Sequence, residues 1–280
     1  MHDQAHSFII PAYGESTFLE ACILSLQRQT VPSNIILTTS TPNAFLSNMA
    51  SRYHIELRIN ENSKGIASDW TFAYRQGQTK YVTLAHQDDL YLPDYTEKCL
   101  QLAERSENRD VLILFTDYGE ISGNKPRGRS AVLHVKRLML FPFFLRHSLR
   151  NSFMKKLLLS FGNPVSCPTV MFNKENTGRL EFSGKYSYIV DWEAWLQLAG
   201  RRGSFIYVDK PLMLHRLHPG SQTIIQIGDN NRLLEEEMIF GEIWGRKSAK
   251  FLMTLYRYGA KFNSRGGKGT VQAQGFYHHG

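Results

Sequence analysis

The feature that most constrains this chain is a repeated change of hydrophobic period over its first 118 residues, from short β-branched runs to helical spacing and back. "HSFIIPAYGES" reads as an apolar strand stopped by Pro11 and followed by a small polar turn. "FLEACILSLQRQT" then places apolar residues at Phe18, Leu19, Cys22, Ile23 and Leu26, a helical spacing. Ser16 or Thr17 suits its N-cap, with Glu20 as capping-box partner of Thr17. "SNIILTTST" and "HIELRIN" read as the next two strands, and "IASDWTFAYRQG" as a helix that Gly77 ends. "KYVTLAHQDD" is a fourth strand, "PDYTEKCLQLAER" a helix with Pro93 near its first position, and "DVLILFTDY" a fifth strand. Strands alternating with helices predict an α/β fold, a mostly parallel sheet flanked by helices with right-handed crossovers. In such sheets ligands sit at the carboxyl ends of the strands, and Pro11–Glu15, Thr38–Thr41 and His86–Asp89 all fall there.

Past Gly119 the rhythm breaks. Gly123 to Ser130 is a Gly/Pro/basic loop, and Ala131 to Phe161 reads as one or two basic, apolar-rich helices interrupted around Pro142. "CPTVMFNKE" is strand-like, "VDWEAWLQLAGR" a helix, and "SFIYVD" a strand followed by the polar "HRLHPGSQT". Trp192 and Trp195 read as core, and Trp70 as packing helix on sheet. The expected organisation is a domain over residues 1–230, with a nucleotide-binding half near 1–120 and a second half near 121–230. Residues 231–280 form a C-terminal helical extension whose Gly-rich tail, from Asn263, is loose.

Charge and cysteine usage narrow the setting. The formal net charge is +8, and from Ile121 to Lys174 there are ten Lys/Arg and no Asp or Glu. A partner of negative charge is implied: nucleic acid, an anionic membrane or a phosphorylated substrate. Three widely spaced cysteines, Cys22, Cys99 and Cys167, form neither a disulfide framework nor a zinc pattern and fit a reducing compartment. The longest unbroken apolar run, Leu138 to Leu145, is far short of the roughly 20 residues of a spanning helix. The N-terminus has no signal-peptide character, so the expected location is cytoplasmic, or peripheral on the inner face of the cytoplasmic membrane.

The sharpest chemical signal is Asp88–Asp89 at the end of the fourth strand. Two crowded carboxylates raise each other's pKa unless a cation joins them. A hard divalent ion, manganese or magnesium (Mn²⁺ or Mg²⁺), is the natural one, and such an ion usually also binds substrate phosphates. The alternative is structural: Asp89 capping the helix that Pro93 opens, or the turn before it.

"SFIIPAYGESTFLEACILSLQRQT", "ENSKGIASDW" and "YVTLAHQDDLYLPDY" resemble successive blocks of glycosyltransferase family 2, and the resemblance returns at "VDWEAWLQL" and "HRLHPGSQT". It implies an inverting enzyme of the GT-A fold that uses a nucleotide-sugar donor, with a basic helical segment on the acceptor side. Carried over residue by residue, Pro11, Ala12, Tyr13 and Glu15 match the first nucleotide-binding turn. Lys64 and Gly65 match the block beneath the nucleotide, and Asp69 lies in the helix after it. His86 and Gln87 lie on the nucleotide side of the metal block. Asp88 takes the place of the metal-ligating carboxylate, with Asp89 beside it, and Asp191 that of the general base. His218 resembles a late residue that closes over the diphosphate and helps hold the metal, with Arg216 in the same motif.

Two departures stand out. The family's second strand usually ends in base-reading aspartates, where this chain has Thr39 and Ser40, so UDP, dTDP and GDP donors stay open. His86 stands where the metal block usually begins with aspartate; neutral, it could contact ribose or metal, and otherwise it is a strand-end histidine held by backbone. Inverting transfer is one in-line displacement, needing a base at the acceptor and charge neutralisation at the leaving diphosphate. Glu193 is the rival base, about 200° around the helix from Asp191, so only one of the two faces the site.

The implied acceptor is a glycan or a lipid-linked glycan, in bacterial surface polysaccharide biosynthesis. The basic segment 125–156 is expected to meet acceptor or anionic membrane, or simply to cover the core. Competing readings are a catalytically inactive scaffold of the same fold and a basic nucleic-acid-binding protein. The second leaves "IIPAYGES", "QDD" and "VDWEAW" without a purpose, so no nucleic-acid partner is expected. A sugar-nucleotide-forming nucleotidyltransferase would open with a Gly-rich, Arg/Lys-bearing loop, which "IIPAYGES" is not.

Overall fold

The protein is described by a computed structural model over residues 4–123, 125–127, 130–218 and 230–254. The alternating pattern of the first half is realised as β1 (His6–Ala12), α1 (Leu19–Gln27), β2 (Asn34–Thr39), α2 (Ala44–Arg52), β3 (Glu56–Ile59), α3 (Ile66–Gln76), β4 (Tyr81–Leu84), β5 (Leu90–Tyr91), α4 (Tyr95–Ala103) and β6 (Val111–Ser122). There follow β7 (Lys125–Arg127), α5 (Ala131–Met139), α6 (Phe141–Leu145), β8 (Ser148–Leu149), α7 (Ser152–Leu159), β9 (Val170–Asn173), α8 (Lys174–Thr177), α9 (Val190–Ala199), β10 (Ser204–Leu217) and α10 (Asn230–Trp244).

One sheet of order β3-β2-β1-β4-β9-β6-β10-β5 organises these elements, with β7 on β6 and β8 on β10. β3, β2, β1 and β4 are mutually parallel. These four strands thus follow the predicted parallel arrangement. The strand-like "CPTVMFNKE" is a strand only over "VMFN", after a 3₁₀ turn at Cys167–Thr169, and this β9 inserts antiparallel between β4 and the expected fifth strand, β6. Its sequence cannot announce this, because an apolar run buried on both faces reads the same in either direction. β1 shows that double burial, with His6 to Ile10 all buried. Packed on it are Leu19, Cys22, Ile23 and Leu26, the inward stripe of α1.

Local capping departs from expectation in an informative way. The N-cap of α1 is Phe18, without a side-chain bond to the helix, and Glu20 bonds Tyr53 and Arg52 instead of closing a capping box. Ser16 Oγ accepts from Phe18 N at 3.3 Å, just ahead of the helix. α2 was not foreseen; its signal was Asn43, whose side chain accepts from Leu46 N at 2.8 Å, ahead of an apolar pair. Residues 131–161 make three helices, with Pro142 in the first turn of α6.

β10 runs well past "SFIYVD". It pairs parallel to β6 through Val208, slips register at Pro211 and Met213, and resumes to Leu217. Its distal part also takes β5 antiparallel through Met213 and Leu214. The extension carries His215 and Arg216 as strand residues, not as loop residues. Trp192 and Trp195 are buried, their indole N–H groups donating to Leu159 O and Val165 O, as core tryptophans do. By contact density the chain forms two compact units, residues 1–235 and 236–280. Residues 219–229 and 255–280, with most of the "HRLHPGSQT" tail and the Gly-rich terminus, lie outside the described residues.

Candidate functional site

The carboxyl ends of β1, β2, β3 and β4 are tied together by short polar bonds. Gln87 bonds the Tyr13 backbone twice, Oε1 accepting from N and Nε2 donating to O, each at 3.3 Å. Gly14 N donates to Thr41 Oγ1 at 2.8 Å, and Asn60 N to Thr39 O at 2.7 Å. Thr39 is buried, and its hydroxyl accepts from Thr41 N at 3.0 Å, so it shapes the turn and is not offered to a ligand. Ser40 is different. Its Oγ donates to Asp69 Oδ2 at 2.8 Å while Asn60 Nδ2 donates to Asp69 Oδ1 at 2.8 Å, so α3 delivers a fixed carboxylate to the end of β2. Gly65 opens α3 at φ 105°, a conformation reserved to glycine, with open space where a Cβ would stand. Tyr13, Glu15 and Lys64 are exposed around this rim, and Pro11 and Ala12 end β1 beneath it.

Asp88 and Asp89 follow β4 in a turn and have opposite surroundings. Asp88 is partly exposed; its Oδ1 accepts from Ser16 Oγ at 2.6 Å, and its Oδ2 lies 3.2 Å from Nε2 of His218. That nitrogen is buried and makes no hydrogen bond among the described residues. Asp89 is 1% exposed, and its Oδ1 accepts from His215 Nδ1 at 3.0 Å and from Arg216 N at 2.9 Å. Burial would push the Asp89 carboxyl up, but His215, His86 and the Arg216 N–H together hold it below its ordinary value. Burial likewise opposes the His215 charge, yet Asp89 raises its pKa above the usual histidine range. Arg216 is fully buried, donating through Nε to Asp88 O at 2.9 Å and through its guanidinium to Gly123 O, with Phe18 against its face at 4.5 Å. It fastens the turn and is not presented to a ligand. Among the described residues, no three His, Cys, Asp or Glu side chains form a group that could hold a metal ion unaided.

His86 packs on Trp70 at a 5.1 Å centroid distance, and its Nε2 is buried with no partner. Burial lowers its pKa against the pull of Asp89, Asp88 and Asp191, so it is a neutral imidazole within electrostatic reach of all three carboxylates. The strand-end histidine satisfied by backbone is therefore not what the Nε2 position shows. Trp70, expected as simple helix-on-sheet packing, stands instead as a wall of the site between His86 and Phe182.

Asp191 lies in the first turn of α9. Burial raises its carboxyl above the ordinary value, opposed by Lys136, the Trp192 N–H, Asn163 and Arg232. Its Oδ1 accepts from Trp192 N at 2.8 Å. Glu193 points elsewhere, its Oε2 accepting from Ser183 Oγ at 2.5 Å. Of the two carboxylates in "VDWEAW", Asp191 is thus the one whose surroundings raise its pKa.

Two residues outside every motif complete this corner. Lys136 comes from α5, and although burial works against its charge, Tyr118 and Asp191 hold its ammonium above the ordinary value. Glu235 accepts from Ser187 N and Tyr188 N at 2.8 Å each and from Ile189 N at 3.3 Å, fixing the chain just ahead of α9. Neither had a local sequence signal, because each acts across long sequence separations.

Much of the basic segment is used internally. Arg137 pairs with buried Asp117, Arg150 with Asp110, and Lys155 is wholly buried, donating to Arg201 O at 2.8 Å and Gly203 O at 2.7 Å. Burial brings the Lys155 pKa down to about 8.

Comparison with known proteins agrees with this geometry. Residues 7–175 match the family model described as glycosyl transferase family 2; the match ends before Asp191. The chain is similar to an uncharacterized glycosyltransferase of Rickettsia typhi, 24% identical over 84% of this chain and 70% of that protein. A counterpart from Rickettsia prowazekii is 24% identical over 78% and 65% of the respective chains. Among solved structures, Staphylococcus aureus TarS 1–349 has a similar fold, with a TM-score of 0.59 and 13% identity over 96% of this chain and 75% of that one. Its complex with UDP-GlcNAc aligns with a TM-score of 0.57 and 15% identity, covering 89% and 70%.

Proposed function

Since this chain belongs to glycosyl transferase family 2 and has its GT-A-type fold, we propose that it transfers a sugar, with inversion, from a nucleoside diphosphate donor to a glycan or lipid-linked acceptor. The observation that carries this reading is the division of labour between Asp88 and Asp191. Both are partly exposed; Asp88 lies 3.2 Å from the His218 imidazole, and desolvation raises the pKa of Asp191 beside Lys136.

The donor nucleotide lies across the rim made by Tyr13, Ser40, Asp69 and Gly65, with Lys64 and Glu15 at its edge. A uridine nucleotide is the first to test, because TarS has been solved with UDP and with UDP-GlcNAc. Asp88 and His218 are the residues that would hold a manganese or magnesium ion beside the donor. When bound, such an ion supplies neutralisation of the charge that grows on the leaving diphosphate. Asp89 supports Asp88 from behind through Oδ1, which His215 and Arg216 hold, while its Oδ2 is buried with no hydrogen-bond partner among the described residues. Asp191 takes the proton of the acceptor hydroxyl as that oxygen bonds the anomeric carbon and the bond from that carbon to the phosphate oxygen breaks. Lys136 keeps Asp191 from becoming too basic. Residues 1–120 supply the nucleotide half and 121–230 the acceptor half. The setting proposed is bacterial surface polysaccharide assembly, on the inner face of the cytoplasmic membrane.

Thermal unfolding with UDP, GDP and dTDP, each with and without Mn²⁺, tests the reading. One nucleotide is expected to raise Tm only when the ion is present, and Asp88→Asn to remove that increment. Lack of stabilisation by any nucleotide in either condition would refute it.

A further inference from the structure

α5 and α6 are apolar on both sides, yet only one side is covered. On α5, Leu133 and Leu140 are buried while Lys136 and Arg137 turn toward Asp191 and Asp117. On its other side Val132, Val135 and Leu138 are 56%, 52% and 73% exposed. α6 buries Phe143 and leaves Phe141, Phe144 and Leu145 more than half exposed. A soluble surface helix normally carries polar residues on its outer face, and one that is apolar all round lies in a larger core or against lipid.

Charge indicates which. From Ile121 to Lys174 there is no acid. Arg137, Arg150, Lys155 and Lys174 are used in bonds within the fold, and Lys136 faces Asp191. Among the described residues, Lys125, Arg127, Arg146 and Lys156 are exposed. Arg146 directly follows α6, while Lys125 and Arg127 sit on β7, where Arg127 pairs with Glu120. Glu120 Oε1 in turn accepts from Ser130, the N-cap of α5. Cations therefore stand at both ends of the exposed apolar run. An acid-free surface of Phe, Leu and Val bounded by Lys and Arg is complementary to a bilayer whose headgroups carry negative charge.

We infer that the outer faces of α5 and α6 dock on an anionic membrane, with Leu138, Phe144 and Leu145 entering the headgroup–acyl boundary and Lys125, Arg127 and Arg146 on the headgroups. Because α5 also carries Lys136 to Asp191, docking sets the base corner of the site at the lipid surface. The inference gives a partner to the transferase reading, resting on it only for the nature of the acceptor, and its test makes no use of transfer.

The test is co-sedimentation of the full chain with phosphatidylcholine vesicles, with and without phosphatidylglycerol. The wild type is expected to partition onto the anionic vesicles and to be released by salt. Leu138→Ser/Phe144→Ser/Leu145→Ser, all at exposed positions, should lower partition at least about tenfold with an unchanged Tm. Arg146→Ala should lower it about fivefold. Failure to bind either vesicle would overturn the inference. So would a dimer in solution that the triple variant dissociates, since the face would then be a contact between two copies of the chain.

Discussion

Asp191 and Glu193 lie two positions apart in one helical turn, and their spacing alone established only that one of them faces away from the other. The structure separates them by surroundings: Glu193 accepts from Ser183, whereas Asp191 is partly buried near Lys136, Asn163 and Arg232. Asp191→Asn is expected to lower kcat/KM by roughly 10²–10⁴-fold while nucleotide binding persists, and Glu193→Gln by less than about tenfold. The Asn variant should unfold at no lower temperature, because it removes a charge that burial disfavours. Steady-state kinetics beside thermal melts checks both; equal losses for the two variants would remove Asp191 from its role. Lys136 offers a pH test with a defined sign. A cation favours the charged carboxylate, so Asp191 must titrate higher when that cation is lost. Lys136→Met should therefore move the acidic limb of the kcat/KM profile upward by about one pH unit, with full activity recovered at higher pH. Asp191 was legible from its motif. Lys136 was not, because its effect depends on α5 folding back over β6, which no local spacing encodes.

Elements were legible where periodicity is local and opaque where partners are remote. The apolar stripe of α1 emerged as read, but its expected cap residue Ser16 bonds Asp88, a partner 72 positions away. The strand "SFIYVD" was visible, yet its continuation through the register shifts at Pro211 and Met213 was not. A proline in the run signals a strand end to sequence reasoning, and a bulge tolerates it. The start of α9 is the clearest remote case. Its N-cap Ile189 has no side chain to offer, so Glu235 satisfies the N–H groups of Ser187, Tyr188 and Ile189, where a helix N-terminus also favours negative charge. Glu235→Ala is expected to cost about 1–2 kcal/mol of stability. It should also lower kcat more than it weakens nucleotide binding, since the chain it fixes leads directly into Asp191. Calorimetry and single-turnover kinetics on the variant check this; a change in nucleotide affinity without a change in kcat would show that Glu235 does not position the base.

At the scale of the whole molecule, the site exists because distant parts of one sheet are locked at a point. The turn after β4 follows the fourth strand of the first parallel set, while His215 and Arg216 belong to the last strand, 126 and 127 positions away from Asp89. The family resemblance put Asp88 in the metal-ligating place with Asp89 beside it. Fold topology gives the two different surroundings, because the distal part of β10 lies beside β5 and meets the second carboxylate, leaving the first at the rim. A buried carboxylate held by an imidazole and a backbone N–H fastens β10 to the turn after β4, and removing its charge leaves His215 buried without its counter-charge. Asp89→Asn should therefore destabilise by about 3 kcal/mol. For a chain of this size that lowers Tm by roughly 6–12 °C. Asp88→Asn, at a partly exposed position, should stay within about 1 kcal/mol of wild type and yet lose the ion-dependent response to nucleotide. Melting curves of both variants, recorded with and without Mn²⁺ and nucleotide, separate the roles. Were Asp89→Asn to melt like the wild type and lose only the ion response, Asp89 would itself be a ligand, and β10 would be held to the turn after β4 by other contacts.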